Sequence, residues 1–547
     1  MPVQEILQAP SATGVTLTLL ACSDCHAAFF EGTAVGNYEQ DPPGGDAALS
    51  FYLQQGADIG GIAMRLLALG RPAGSRYLEI GCGFGFGLDV ARRALGWDVK
   101  GIDPSPFAAV GRKLLDLPIE SGFFTPHHAD NDTFDIVHAS EFLEHVPNPL
   151  ETLRALQTAL RPNGVLLLTT PAAEMIRPET SEGLLVPLLS VGWHIVIQTA
   201  ESLAMLLRRA GFENVRVVRE GAQLIAHAGS GPRCQRPDRA VYRQWLAAAA
   251  TTQPRGSDLG LGLRARLFRE LAAHGDESAA AAVWSELNSA VEMRFGSRLE
   301  GWCEAATDGT KPLLAELAER EPLCLAGVLL LQAWRVAQLG EPAEAFFVAA
   351  HAAAGRLRHA LRTIGSEDGD AEDVGFAAER ELIICAAERG DPGIPDRIVA
   401  YAAKRGGGHG EALRRRCFVA FVNHGRLEEA RELPCAITDI WKAADRMEII
   451  SHDDASVLFC GAALELQTPV QGRVEDAMTW LRTLRRCLLK AFQAGRTDQV
   501  SDLFWPAVDA EALGLRLRGR EREATELITR TVRQTANIPG FPARQIA

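Results

Sequence analysis

Three side chains able to move protons or hold a metal fall within five residues of the stretch "SEFLEHVPNP": Glu141, Glu144 and His145. On a helical turn their i, i+3, i+4 spacing would put all three on one face. An imidazole oriented by a carboxylate is a general base that works near neutral pH. Two carboxylates and an imidazole are also a ligand set for a divalent cation. A third reading makes Glu144 and His145 fold-defining residues at a strand end, with the imidazole hydrogen-bonded to backbone.

The second chemical feature is "RYLEIGCGFGFGLDVARRALGWDVKGIDPSP", residues 76–106. A strand that feeds a glycine-rich turn and then a helix lets the backbone approach a ligand and aims helix amides at it. Gly81, Gly83 and Gly85 follow the strand residues Leu78–Ile80, and Asp103 closes the next strand, where a carboxylate can accept two hydrogen bonds from a ribose diol. The spacing is G-x-G-x-G; the diphosphate pattern G-x-G-x-x-G would need glycine at Phe86. Glu79, two residues before the first glycine, would repel a diphosphate and favour a ligand with a cationic end. A third stretch, "LLACSDCHAAFF", carries Cys22, Cys25 and His26. C-x-x-C is half of a zinc site, and with no second pair nearby a β-hairpin with buried thiols is the simpler reading.

The elements that would position these residues are legible from periodicity. "RYLEIG", "DVKGID", "FDIVHAS" and "GVLLLTTP" read as strands alternating with amphipathic helices such as "NPLETLRALQTALRP". The helix "ESLAMLLRRAGF" then leads to "NVRVVRE" and "QLIAHAG", two strands joined by a tight turn at Gly221-Ala222. This order predicts an α/β Rossmann-like domain: a mostly parallel sheet with a final antiparallel strand. "AGSGPRCQRPDRA" reads as a linker, and from about 240 onward strand-like runs almost vanish. There an apolar helix, a Gly and an Ala five residues later recur at Gly275, Gly340, Gly425 and Gly519. Gly ending one helix and a small residue packing the next is the physics of stacked helix pairs, so an all-α, tetratricopeptide-like repeat domain is expected. The expected boundaries are an N-terminal extension at 1–60, the α/β domain at 61–230, a linker and first helix at 231–255, and helical repeats at 256–547.

The chain has 547 residues and a net charge of −13. That length predicts two or three domains, and that charge argues against nucleic acid as the partner. No basic-then-apolar leader opens the sequence, and its longest apolar run is too short to span a bilayer. Eleven cysteines without an even framework predict reduced thiols in the cytoplasm.

Taken together, "LEIGCGFGFGL", "GIDPSP", "FDIVHASEFLEHVPNP", "LRPNGVLLLTTP" and "ESLAMLLRRAGFENVRV" resemble, in order, the blocks of class I S-adenosylmethionine-dependent methyltransferases, in the branch that includes ubiquinone O-methyltransferases. Asn163 stands where that family usually has glycine. The resemblance implies S-adenosyl-L-methionine as cofactor, bound by Glu79, Gly81, Cys82, Gly83, Gly85, Asp103 and Pro104. Glu79 would lie near the methionine end and Asp103 would hold the ribose. It implies catalysis by His145, Glu144 and Glu141 on a small-molecule or glycan hydroxyl. Trp193 and His194 would lie where the family often inserts an acceptor cover. The family's adenine-contacting acid has no obvious counterpart among Glu120, Asp130 and Asp132. The helical half is expected to dock substrate or a protein partner. The alternatives are an inactive adaptor, or a protein methyltransferase that recruits its substrate through the repeats.

Overall fold

The computed structural model describes residues 3–10, 15–32, 36–125, 127–130, 133–230, 234–305, 311–433, 435–447, 449–467, 473–494, 496, 502–536, 538 and 541–542. Eleven strands form among them: β1 (Val3–Pro10), β2 (Thr16–Cys22), β3 (Ala28–Phe30), β4 (Arg76–Ile80), β5 (Asp98–Asp103), β6 (Ile119–Ser121), β7 (Phe134–Ser140), β8 (Leu160–Pro171), β9 (Val196–Ile197), β10 (Arg216–Glu220) and β11 (Gln223–Gly229). Seven make one sheet in the order β10-β11-β8-β7-β4-β5-β6. β4 through β8 pair in parallel, and β11 runs antiparallel to both neighbours. This is the predicted α/β fold with its antiparallel strand. Leu78, Ile80, Val137, Leu166 and Leu168 are buried in its core, which is why these strands read as continuous apolar runs. Strand order reverses beside β4, so the carboxyl ends of β4 and β7 flank the crevice where such sheets bind ligands.

A second sheet, β1-β2-β3-β9, closes over Leu19, Phe30, Leu188 and Ile197. β2 and β3 form the hairpin expected around Cys22 and Cys25. Cys22 is buried, with its thiol held down by the amides of Cys25 and Asp24. Among the described residues no third ligand joins the two cysteines in a metal-sized cluster. β6 and β9, three and two residues long, are too short to show periodicity in sequence.

Contacts divide the chain into two compact units, Met1–Ala378 and Glu379–Ala547. The boundaries expected near 230 and 255 lie inside the first unit, and 231–233 of the expected linker lie outside the described residues. Helices from the expected linker-and-first-helix segment and from the expected repeat region are bound to earlier parts of this unit by polar bonds. Trp245 donates to Asp89 at 2.9 Å. Asp258 accepts from Ser50 at 3.0 Å, Gln54 at 2.7 Å and Arg294 at 2.6 Å. Arg266, on the helix Asp258–Ala273 and 7% exposed, donates to the carbonyls of Leu53 (2.7 Å), Gln54 (3.2 Å), Gln55 (3.1 Å) and Ala57 (3.2 Å). Those carbonyls belong to, or directly follow, the π-helix Tyr52–Gly56. Burial lowers the Arg266 guanidinium to about 10, so it stays charged at neutral pH.

The second unit is helical throughout its described residues, with sequential neighbours such as Arg473–Gln493 and Phe504–Leu517 packed together. Its buried acids are each gripped by two arginines: Glu381 by Arg380 and Arg416, Glu511 by Arg482 and Arg485. Across both units the recurring glycines end helices with left-handed φ, at 71° for Gly275, 75° for Gly340, 72° for Gly425 and 70° for Gly519. The paired alanines Ala280, Ala430 and Ala524 are buried, but Ala345 is exposed. Pro342 delays that helix to Glu344, and Phe347 takes the buried fourth position instead.

Replacing Arg266 with Ala strips the donor from these four buried carbonyls and should cost about 3 kcal/mol of unfolding free energy. Arg266→Lys should recover only part, because an ammonium cannot reproduce the planar fork. Denaturant melts decide it: a loss below about 1 kcal/mol, or full recovery by lysine, refutes the fork's role.

Candidate active site

β4 delivers Glu79 and then a turn in which Gly81, Gly83 and Gly85 have φ of 66°, 50° and 91°. This left-handed run turns the chain sharply from the strand into the helix Phe86–Leu95. Asp103, 6% exposed at the end of β5, clamps the turn: Oδ2 accepts from the Gly83 amide and Oδ1 from the Ser105 amide, both at 2.7 Å. Each oxygen keeps a lone pair for a ligand hydroxyl. After Pro104, Ser105 caps the helix Pro106–Leu115. Cys82 turns its sulfur beneath the sheet toward Gly101, and burial with the Glu79 and Asp103 carboxylates lifts its thiol well above the ordinary value. It offers the turn its main chain alone.

Glu79 is 3% exposed, with Oε1 3.2 Å from His138 Nδ1, an atom that also lies 2.7 Å from the Tyr77 hydroxyl. Glu79 Oε2 and His138 Nε2 have no protein partner among the described residues. A Cβ on Gly87 would come 2.5 Å from Glu79 Oε1, so only glycine lets the helix begin over this carboxylate. Tyr52 completes the cradle. Its hydroxyl lies 3.1 Å from where a Gly83 Cβ would stand, and its ring packs on Phe86 and Phe107. Burial and the carboxylates of Glu79 and Asp103 hold its phenol protonated. Tyr52, Tyr77 and His138 were not foreseen; the one sequence signal was a histidine inside the apolar strand "FDIVHAS". Of the acids considered for an adenine contact, Glu120 is held by Lys100 and His128. Asp132 and the side chain of Asp130 lie outside the described residues.

Glu141, Glu144 and His145 do not share one helical face. Only Leu143–His145 forms a turn, a 3-10 one, and Glu141 sits before it with φ 48°, a strained value for a side chain of this kind. Glu141 Oε1 accepts from Thr169 at 3.0 Å and Gln223 at 2.7 Å. It lines a cavity of about 630 Å³, open to solvent there yet crowded on its other sides. That crowding and the nearby Glu144 carboxylate raise it to about 7. Next along the chain, Phe142 packs 3.4 Å from where a Gly81 Cβ would stand.

Glu144 and His145 face the other way. Glu144 is fully buried; Oε2 accepts from Thr170 at 2.9 Å, and Oε1 has no protein partner. Burial raises it to about 7. His145 Nδ1 lies 2.6 Å from the Tyr38 hydroxyl and 3.1 Å from the Trp193 carbonyl, while Nε2 is 3.8 Å from Glu144 Oε1. His194 donates from Nδ1 to the Leu188 carbonyl at 2.8 Å, which leaves the Nε2 lone pair facing Glu144 Oε1 at 4.0 Å. Burial and His145 push His194 down to about 3, so it is neutral. Glu144, His145 and His194 each offer a ligand atom within 4.8 Å of the others, a set that suits a divalent cation and excludes Glu141. Trp193 packs on Tyr38 at 5.2 Å between ring centroids, placing the expected cover residues beside His145.

Residues 55–217 match the methyltransferase domain family. The ubiquinone biosynthesis O-methyltransferase of Xanthomonas axonopodis pv. citri is 35% identical over 158 residues, 26% of this chain and 64% of that protein. That of Aromatoleum aromaticum is 41% identical over 107 residues, 18% of this chain and 44% of that protein. The chain thus spans less than two thirds of the length of these relatives. Among solved structures, an O-methyltransferase family protein from Burkholderia thailandensis aligns with a TM-score of 0.29 at 16% identity, over 35% of this chain and 59% of that one. An S-adenosylmethionine-dependent methyltransferase from Mesorhizobium loti aligns with a TM-score of 0.26 at 20% identity, over 32% and 98%.

Because Glu144 is raised to about 7 when folded, the folded chain keeps a proton that the unfolded chain sheds above about pH 4.3. Its burial therefore costs nothing below that pH, and the penalty is complete above about pH 7. Glu144→Gln, neutral throughout, should gain stability over the parent as pH rises from 5 to 8 in denaturant melts. A variant that instead falls below the parent at pH 8 would mean the carboxylate is charged and paired with a cation.

Proposed function

We propose that the chain is an S-adenosylmethionine-dependent O-methyltransferase acting on a hydroxyl of a small-molecule or saccharide acceptor. The observation that carries this reading is the juxtaposition of the Asp103-clamped glycine turn with Glu141, through Phe142, at the switch point of the sheet. The partnerless Glu79 Oε2 in a buried cradle suits the cationic methionine end, and the free lone pairs of Asp103 suit the ribose hydroxyls. The resemblance to the ubiquinone biosynthesis O-methyltransferase of Xanthomonas points the same way. When bound, S-adenosylmethionine supplies a methyl group on a positively charged sulfur, ready for in-line transfer.

Little covalent work is then left to the protein beyond alignment and proton removal. Glu141 is the base: it faces the cavity, its carboxyl is raised to about 7, and Thr169 with Gln223 fix one oxygen while the other stays free of them. Glu79, the glycine turn and Asp103 would hold the methyl donor, and Glu141 would take the proton from the acceptor hydroxyl. His145 and Glu144 act behind it, through the Tyr38–Trp193 cover and through Glu144's charge on Glu141. An inactive adaptor would not need Glu79, the glycine turn and Asp103 in this arrangement. The helices of 379–547, with the helix–glycine–helix turn at Gly425 and Gly519, are read as a tetratricopeptide-like surface for a protein partner. Eleven cysteines without an even framework accord with a cytoplasmic location.

Calorimetric titration with S-adenosylhomocysteine tests the cofactor. The parent chain should bind, and Asp103→Ala should weaken binding about 100-fold, the loss of two charge-assisted hydrogen bonds. No binding by a folded parent refutes the reading.

A further inference from the structure

Resting on the methyltransferase reading, we infer that the acceptor carries a cationic amine as well as its hydroxyl, and that helices beyond residue 239 supply the wall that selects it.

The cavity of about 630 Å³ has two walls of different origin. One is the active-site edge of the sheet: Glu141 after β7, Pro171 at the end of β8 and Gln223 at the start of β11. The other comes from later in the chain, with Tyr242, Arg266, Arg269 and Asp368. Phe51, Leu184 and Pro187 add apolar surface able to cover a ring or hydrocarbon body.

Charge decides the class of ligand. Four of the lining carboxylates are already neutralised: Asp58 by Arg65, Glu270 by Arg239, Glu367 by Arg358 and Asp370 by Arg269. Two accept hydrogen bonds from neutral donors instead. Glu141 is held by Thr169 and Gln223, and Asp368 by the Gln55 side chain at 2.5 Å and the amides of Asp370 and Ala371. Both line the cavity, Glu141 from the sheet edge and Asp368 from the later segment, and crowding raises both, to about 7 and about 6. Seven carboxylates line the cavity against two guanidiniums: Arg266, whose donors go to four carbonyls that leave its charge in place, and Arg269, which pairs with Asp370. A carboxylate-bearing acceptor would thus meet two acids with the nearby guanidiniums already spoken for. An ammonium would instead meet Asp368 in the same cavity as the base.

The test uses the full chain saturated with S-adenosylhomocysteine and two catechols matched in ring and hydroxyls: dopamine, which carries an amine, and 3,4-dihydroxybenzoate, which carries a carboxylate. Calorimetry should show dopamine bound at least ten-fold more tightly, and Asp368→Asn should erase that preference while S-adenosylhomocysteine still binds. Equal or reversed affinities on the parent chain, or binding of neither catechol, overturn the inference, and that comparison requires no variant to fold. A preference that survives in a folded Asp368→Asn variant removes the helical wall from it. Failure of S-adenosylhomocysteine to bind at all would count against the methyltransferase reading instead.

Discussion

A guanidinium buried without a carboxylate partner holds the first unit together. Arg266 reaches from a helix after the α/β fold into the stretch Leu53–Ala57, which precedes the first strand of the main sheet, and collects four carbonyls there. A π-helix is wide and leaves its last carbonyls poorly paired, so these need a donor from elsewhere. The planar fork supplies several donors at once, and the carbonyl dipoles repay part of the cost of burying the charge. The π-helix begins at Tyr52, whose hydroxyl stands over Gly83. The shape of the cofactor turn therefore depends on a residue more than 180 positions away, and a chain cut near residue 230 would lose the floor of its own site.

The same physics divides labour at the end of β7. A backbone turned left-handed at Glu141 sends its carboxylate into the cavity, and the 3-10 turn behind it sends Glu144 and His145 into a closed nest with His194. Two acids three residues apart thus sit in different environments, yet close enough for one charge to raise the other. A regular helical turn would have put both into one pocket, where neither could serve as a lone base facing an acceptor.

What could be read in the sequence follows from what is local. β4, β7 and β8 are apolar runs because both faces are covered, so their positions were visible in single blocks, while β6 was too short to be seen. The terminating glycines at Gly275, Gly425 and Gly519 were legible for the same reason: a left-handed helix end and a buried small residue lie within one turn of each other. Pairings between distant stretches left no such trace. Tyr38 meets His145 across 107 positions and Gln55 meets Asp368 across 313. The expected common face of Glu141, Glu144 and His145 failed because spacing predicts a face only where the backbone is helical, and nothing in "SEFLEH" declares the positive φ at Glu141.

Those distant pairings also bear on why the helices and the α/β fold share one compact unit. Arg266 lines the cavity with the flank of the same guanidinium that pairs the π-helix carbonyls, and Asp368 lines it with the carboxylate that anchors Gln55. Binding groups and structural groups are therefore the same atoms. Removing the Arg266 guanidinium will also disturb the stretch from Leu53 to Ala57, and with it the placement of Tyr52 over Gly83. The cavity wall and the glycine turn are in that sense coupled through a few buried polar bonds. A separable docking domain would have left the two independent, and the bonds from Trp245, Asp258 and Arg266 into the core are what make the first helices inseparable from the site they enclose.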